Sequence, residues 1–203
     1  MKLRYSPASP YVRKVMILAY ETGLEPRIER ISTTVVPVKE NEELSRENPL
    51  TKVPTLVTDD GQVLFDSPVI CEYLDSLHHG TKLFPPTGAA RWQALRLQAL
   101  GDGILDAALL ARYETAVRPQ ELQWRDWIDG QTRKIRHGLD SLEANIGELS
   151  GPLTIGTVAV ACALGYLDFR FGSENWRASR PKLAAWYEDF AQRPSMKSTV
   201  PQG

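Results

Sequence analysis

The spacing of hydrophobic positions changes character partway along this 203-residue chain. In the first part, short apolar runs typical of strands alternate with stretches that have helical spacing. The predicted order is a strand at 2–5, a helix at 10–22 closed by Gly23, a strand at 27–31, a short polar helix between 39 and 47, strands at 55–58 and 63–65, and a helix at 67–77. Asp59-Asp60-Gly61 between the last two strands favours a hairpin, and a hairpin makes those strands antiparallel. This part is therefore predicted as a βαβ unit followed by a ββα unit.

The second part of the chain contains only helical spacing. It follows a segment rich in Gly and Pro at 80–88, and its predicted helices are 89–114, 119–149, 154–171 and 181–192. The stretch 154–167 is apolar nearly all round, which predicts a helix buried on every side. The fold class is thus α/β plus all-α, with an α/β domain at 1–79, a linker at 80–88 and an all-helical domain at 89–203.

The composition is ordinary for a globular protein, with 42% hydrophobic and 24% charged residues and a net charge of −1. Without a basic surplus, nucleic acid and anionic membrane surfaces are not expected as partners. The N-terminus lacks the apolar region of a signal peptide, and the uncharged run 153–167 is too short to span a bilayer. We therefore expect a cytoplasmic protein.

Cysteine and histidine give no sign of a metal site. Cys71 and Cys162 lie in apolar helical contexts far apart in sequence, which favours buried, inert thiols. The histidines are not set at metal-ligand spacing with cysteines or carboxylates; they are His78, His79 and His137. No metal is expected.

Ser9 and Pro10 stand where the first strand meets the first helix. Pro10 suits the first helical turn, which makes Ser9 the N-cap. The free N–H groups and the dipole of a helix N-terminus favour an anion, and a thiolate there has a lowered pKa. A serine hydroxyl is too weak an acid to be that anion, but it can donate a hydrogen bond to a thiolate on a ligand. Taken alone, the pair is better explained as a simple helix cap.

Four short motifs favour a ligand-binding role for Ser9 over a simple helix cap. Ser9-Pro10-Tyr11-Val12 resembles the Cys-Pro-Tyr-Cys of glutaredoxins with both cysteines replaced. The others are Asn48-Pro49-Leu50-Thr51-Lys52-Val53-Pro54, Asp66-Ser67 and Arg193-Pro194-Ser195-Met196-Lys197. Together with the order of the elements, they resemble the cytosolic glutathione transferase family over essentially the whole chain, and within it a bacterial serine-type subgroup. The resemblance implies a thioredoxin-like N-terminal domain and an all-helical C-terminal domain.

Two positions depart from the family pattern. Thr51 stands where the family often has Gly, and Thr157 stands where a capping box commonly has Asp. The second departure bears on folding more than on ligand binding.

The resemblance implies glutathione as co-substrate and assigns residues to each of its parts. Val53 would pair with the cysteinyl backbone, beside a cis peptide to Pro54. Asp66 would face the γ-glutamyl ammonium, and Ser67, at a helix N-cap before Pro68, would bind its carboxylate. Lys52, or less plausibly Lys39, would reach the glycyl carboxylate. The structural alternatives are a proline that begins a strand, a plain N-cap and solvated lysines.

The sequence gives much weaker evidence for the second-substrate site. By family layout it lies between the Ser9 loop and the first long helix of the helical domain, and the candidates are Tyr11, Ala108, Arg112 and Tyr166. Its apolar members fit the core equally well. Arg112 could orient an anionic electrophile, but we expect it to pair with Glu114 or Asp106.

The leading hypothesis is a glutathione transferase that attacks a small electrophile, with Ser9 holding the thiolate and Tyr5 as the rival donor. A role in detoxification and a homodimer are expected from the family. The alternative is a catalytically weak adaptor of the same fold that binds a protein partner such as transcription machinery, although it would have no need of Asp66 and Ser67. Thiol-disulfide exchange would need a cysteine near residue 9, and none is present.

Overall fold

The computed structural model describes residues 1–203, which form two compact units. One unit comprises Met1–Pro86 with Pro194–Gly203, and the other comprises Thr87–Arg193. The C-terminal residues thus belong with the first unit, although the sequence-based division assigns them to the helical domain.

A four-stranded sheet organises the first unit. Its elements are β1 (Lys2–Tyr5), α1 (Pro10–Glu21), β2 (Glu29–Ser32), α2 (Glu42–Glu47), β3 (Thr55–Val57), β4 (Val63–Leu64) and α3 (Ser67–Ser76). The strand order is β2-β1-β3-β4; β2 is parallel to β1, while β3 is antiparallel to both of its neighbours. The predicted βαβ and ββα units and the thioredoxin-like fold are confirmed.

The predicted ends of some elements shift for local reasons. Helix α1 ends at Glu21 because Gly23 turns the chain at a φ of +69°. A 3₁₀ turn at Glu25–Arg27 delays β2 by two residues from the predicted start at 27. The side chain of Asn41 accepts a hydrogen bond from the Leu44 N–H (3.0 Å), so α2 begins only at Glu42.

The second unit is entirely helical, as predicted. Its long helices are α4 (Gly88–Ala116), α5 (Arg125–Ala144), α6 (Ile155–Arg170) and α7 (Pro181–Phe190), and the short α8 (Pro194–Lys197) follows in the first unit. The prediction that one helix runs from 119 to 149 is wrong. Residue Pro119 has an extended ψ of 140°, a 3₁₀ turn at Gln120–Leu122 follows, and α5 starts later.

Helix α6 is the centre of the helical unit, and every residue from Ile155 to Leu167 is buried, as the apolar run predicts. It starts with a capping box: the Thr157 N–H donates to Thr154 Oγ1 (3.4 Å) and the Thr154 N–H donates to Thr157 Oγ1 (3.1 Å). Threonine therefore supplies the reciprocal bond that a capping-box carboxylate usually provides.

Helices α4 and α6 are in direct backbone contact through glycines. A Cβ atom added at Gly101 would lie 2.7 Å from the carbonyl carbon of Ala159, and one at Gly156 would lie 2.6 Å from the carbonyl oxygen of Ala94. Gly156 precedes Ala159 in α6, and their contacts Ala94 and Gly101 follow the same order in α4. The two helices therefore run in the same direction.

No single helix is long and apolar enough to cross a membrane. One pair of helical segments, Ile155–Arg170 with Gly172–Ser179, has sufficient length and apolar composition only when taken together, and it is bent by 97° at its break.

Replacing Gly101 with Ala should lower the free energy of unfolding by about 1–3 kcal/mol, because the added methyl group overlaps the backbone of α6. The matched control is Gly103→Ala in the same helix, where a Cβ meets nothing within 4 Å. That variant should gain up to about 1 kcal/mol from helix propensity. Denaturant unfolding measures both, and equal shifts in the two variants would contradict the close packing.

Candidate active site

The junction between β1 and α1 is fixed from both sides. Strand β1 pairs with β2 and β3, and α1 begins with Pro10 in its first turn. Ser9 is the N-cap, as predicted: its Oγ accepts a hydrogen bond from the Val12 N–H (3.3 Å), and its carbonyl accepts one from the Arg13 N–H (3.0 Å). Since Ser9 is partly exposed, its hydroxyl hydrogen can still be donated to a ligand.

Tyr5 and Tyr11 flank this junction. Tyr5 is the last residue of β1 and is partly exposed, with the Arg30 guanidinium 5.8 Å from its ring centroid. Tyr11 lies in the first turn of α1 and is also partly exposed.

The loop before β3 is built on the buried side chain of Asn48. Its Nδ2 donates to the Lys52 carbonyl (3.1 Å) and to Thr55 Oγ1 (3.0 Å), and its Oδ1 accepts from the Leu50 N–H (2.9 Å). The turn so formed places Thr51 at a φ of +51°. This left-handed backbone explains why the related motif has Gly at that position.

The end of the same loop carries the predicted cis peptide. The Val53–Pro54 bond is cis, and Val53 is partly exposed. Lys52 and Lys39 are both exposed, so each side chain is open to solvent.

The start of α3 differs from the prediction. Asp66, and not Ser67, is the N-cap, because the Asp66 carboxylate accepts from the Ser67 N–H and the Asp66 carbonyl accepts from the Ile70 N–H (3.1 Å). Asp66 is exposed, whereas Ser67 is buried and its Oγ makes no hydrogen bond. Because water does not reach that oxygen, a ligand meets Asp66 and the N-terminus of α3 first.

Two arginine side chains support this region and were missed from sequence. Arg4 in β1 donates from Nε to Glu47 Oε2 (2.8 Å), and hydrogen bonding by Arg4 lowers the pKa of Glu47. Arg13 in α1 is buried and donates to the Met196 carbonyl (3.3 Å). The C-terminal motif thus contacts α1, which the sequence spacing alone does not show.

The remaining candidates lie in the helical unit. Ala108 and Tyr166 are buried, and burial raises the pKa of Tyr166 to about 12, opposed by the charges of Arg112 and Arg170. The expected pairing of Arg112 does not form. Glu114 instead accepts from Arg118 Nε (2.9 Å) and from the Trp124 N–H (2.8 Å).

Metal-binding groups are not assembled anywhere in the chain. No three His, Cys, Asp or Glu residues are arranged to hold a metal ion. Cys71 and Cys162 are buried, as predicted, and form no disulfide.

The structure combines a thioredoxin-like unit, which has a capped helix N-terminus and a cis-proline loop, with an all-helical unit. Comparison with known proteins identifies the family. Residues 8–77 match the family described as "Glutathione S-transferase, N-terminal domain", and residues 125–189 match "Glutathione S-transferase, C-terminal domain". The chain belongs to the glutathione S-transferase family.

Relatives align over nearly the full length. "Uncharacterized GST-like protein YibF" of Escherichia coli K12 is 37% identical, with 99% of this chain and 98% of the relative covered. A solved glutathione transferase family member from Pseudomonas fluorescens Pf-5, with bound glutathione, is 51% identical at a TM-score of 0.98, covering 100% of this chain and 99% of that one. A second structure from that organism, with bound S-(propanoic acid)-glutathione, is 50% identical at a TM-score of 0.93, and both chains are fully covered (100%).

Replacing Thr51 with Gly should raise the free energy of unfolding by about 0.5–1 kcal/mol, because a β-branched residue is strained at positive φ. Thr81→Gly is the matched control, since Thr81 is exposed and does not have positive φ. It should lose up to about 1 kcal/mol through added flexibility in the unfolded chain. Thermal and chemical unfolding measure the stability of both variants. A destabilised Thr51→Gly variant would refute the predicted backbone strain at Thr51.

Proposed function

We propose that this protein is a glutathione transferase that binds glutathione in its first unit and transfers it to small electrophiles. The observation that carries the proposal is the Ser9 N-cap of α1, where a hydroxyl and a helix N-terminus coincide. The relatives solved with bound glutathione, at 51% and 35% identity, support it. The family likeness also favours a serine-type bacterial subgroup, a homodimer and a cytoplasmic role in detoxification.

Ser9 acts by stabilising the ionised sulfur of glutathione. The thiol loses its proton to solvent, and the Ser9 hydroxyl donates a hydrogen bond to the thiolate while Oγ still accepts from the Val12 N–H. The positive end of α1 adds to this effect. Lowering the thiol pKa by about two units requires roughly 2.7 kcal/mol of preferential stabilisation, which one hydroxyl and one helix terminus can supply together.

The other first-unit residues hold glutathione in place. The Val53 backbone pairs with the cysteinyl backbone, in the loop that the Asn48 side chain fixes. Exposed Asp66 faces the γ-glutamyl ammonium. Ser67 binds the γ-glutamyl carboxylate, which requires its buried Oγ to turn toward the ligand and would give that oxygen a partner. Lys52 reaches the glycyl carboxylate.

For the electrophile we retain the candidates Tyr11, Ala108, Arg112 and Tyr166. Because Ala108 and Tyr166 are buried, they would support the site from within the helical unit and would not themselves present surface to the electrophile. A related family member was solved with S-(propanoic acid)-glutathione, which supports binding of a glutathione conjugate by the present protein as well. Nothing in the fold or in these relatives favours the adaptor hypothesis.

Ser9→Ala should lower kcat/KM for conjugation by about tenfold to a hundredfold, since it removes the hydroxyl that holds the thiolate. Tyr5→Phe should leave the rate unchanged, because Tyr5 lies in the strand and not at the helix cap. Circular dichroism checks that loss of the cap, which costs about 1 kcal/mol, leaves the protein folded. A wild-type rate in Ser9→Ala with a lost rate in Tyr5→Phe would reverse the assignment.

Asp66→Asn should weaken glutathione binding by about tenfold, measured by titration calorimetry, because it removes the charge opposite the γ-glutamyl ammonium. An analogue that lacks the ammonium should bind wild type and Asp66→Asn equally. Glu40→Gln is the control, since Glu40 is exposed and its replacement changes the net charge by the same amount. No binding of glutathione to the wild-type protein at millimolar concentration would refute the proposed function itself.

A further inference from the structure

Helix α2 is short and depends on tertiary contacts for its position. It has six residues, of which only Leu44 is buried, and a helix of that length is marginal on its own in water. Arg4 of β1, which is buried, provides a polar attachment. Its Nε and Nη2 donate to the two carboxylate oxygens of Glu47 (2.8 and 2.5 Å), and its Nη1 pairs with Glu43 (2.8 Å). Arg4 thus ties α2 to the first strand of the sheet.

The two carboxylates that Arg4 contacts differ in exposure. The Glu47 side chain is 25% exposed, and Arg4 meets both of its oxygens, which is the strongest geometry for a guanidinium and a carboxylate. The Glu43 side chain is 75% exposed, so water screens its contact. Hydrogen bonding by Arg4 lowers the pKa of Glu47, which keeps that carboxylate ionised at neutral pH. Glu47 is therefore the stronger partner of Arg4.

Glu47 is followed directly by the residue that builds the loop before β3. Asn48 is the C-cap of α2. Its carbonyl accepts from the Thr51 N–H (2.8 Å), and its buried side chain donates to the Lys52 carbonyl (3.1 Å). A displacement at the end of α2 would therefore move the turn that carries Lys52 and Val53.

We propose that Arg4 is a positioning residue for glutathione: through Glu47 it holds the loop that receives the cysteinyl and glycyl parts of the tripeptide, and this rests on the proposed function. Arg4 does not touch the ligand in this role. Ser9 lies in a different loop, at the start of α1. Arg4 therefore controls how tightly glutathione binds and leaves the ionisation of its sulfur to Ser9.

The first test measures glutathione in wild type, Arg4→Met and the control Arg46→Met. Arg46 lies in α2 and is exposed, so its replacement changes the net charge equally without breaking the contact to Glu47. Calorimetry should show a Kd about tenfold higher in Arg4→Met and an unchanged Kd in Arg46→Met. Ultraviolet titration of the bound thiol should give the same pKa in all three proteins, because none of them alters Ser9.

A second pair of variants keeps the test decisive if Arg4→Met does not fold. Glu47→Gln and Glu43→Gln remove the same charge from the same helix and from partners of the same arginine. Glu47→Gln should raise the Kd for glutathione severalfold, whereas Glu43→Gln should leave it within about twofold. Circular dichroism confirms that each variant is folded at the temperature of the measurement.

The outcomes separate this role from the proposed function. Equal affinities in Arg4→Met and Arg46→Met, or equal effects of Glu47→Gln and Glu43→Gln, overturn the positioning role. A bound thiol whose pKa changes together with the Kd in Arg4→Met also overturns it, because that result indicates general damage to the unit. If wild type binds glutathione and the variants bind it equally well, only the role of Arg4 fails. Absence of glutathione binding to wild type at millimolar concentration refutes the proposed function, and this role with it.

Discussion

The N-cap of α1 is the interaction on which the candidate site depends. Ser9 Oγ accepts the hydrogen bond from the Val12 N–H that starts the helix, and the same hydroxyl is the group offered to a thiolate. Its position is set from one side by β1, which pairs with a strand on each edge, and from the other by α1. Arg13, one turn along α1, is held by the C-terminal segment through the Met196 carbonyl. The two elements together fix the position of the Ser9 hydroxyl.

The helical unit contributes a different kind of constraint, which is steric. Glycines at Gly101 and Gly156 let α4 and α6 touch backbone to backbone. A side chain at either position would overlap the backbone of the other helix, so the two helices would have to move apart.

Local patterns predicted much of this structure. The Ser9-Pro10 pair predicted the start of α1, and the apolar run at 154–167 predicted the buried helix, because both signals act within a few residues. The predicted start of α5 was wrong, because a proline that follows a helix can begin a turn as well as a new helix. The predicted pairing of Arg112 with Glu114 or Asp106 was wrong, since Glu114 is taken by Arg118 and by the Trp124 N–H across a turn. Such choices depend on three-dimensional contacts that spacing does not contain.

The pKa of glutathione bound to the protein tests the central claim most directly. It can be measured by following the ultraviolet absorbance of the thiolate during a pH titration of the complex, with Ser9→Ala beside the wild type. If Ser9 and the N-terminus of α1 hold the thiolate, the bound thiol should titrate about two units below the ordinary value near 8.5, and Ser9→Ala should recover much of that difference. A bound thiol that titrates at its ordinary pKa, or a lowered pKa that Ser9→Ala leaves unchanged, would contradict the role given to Ser9.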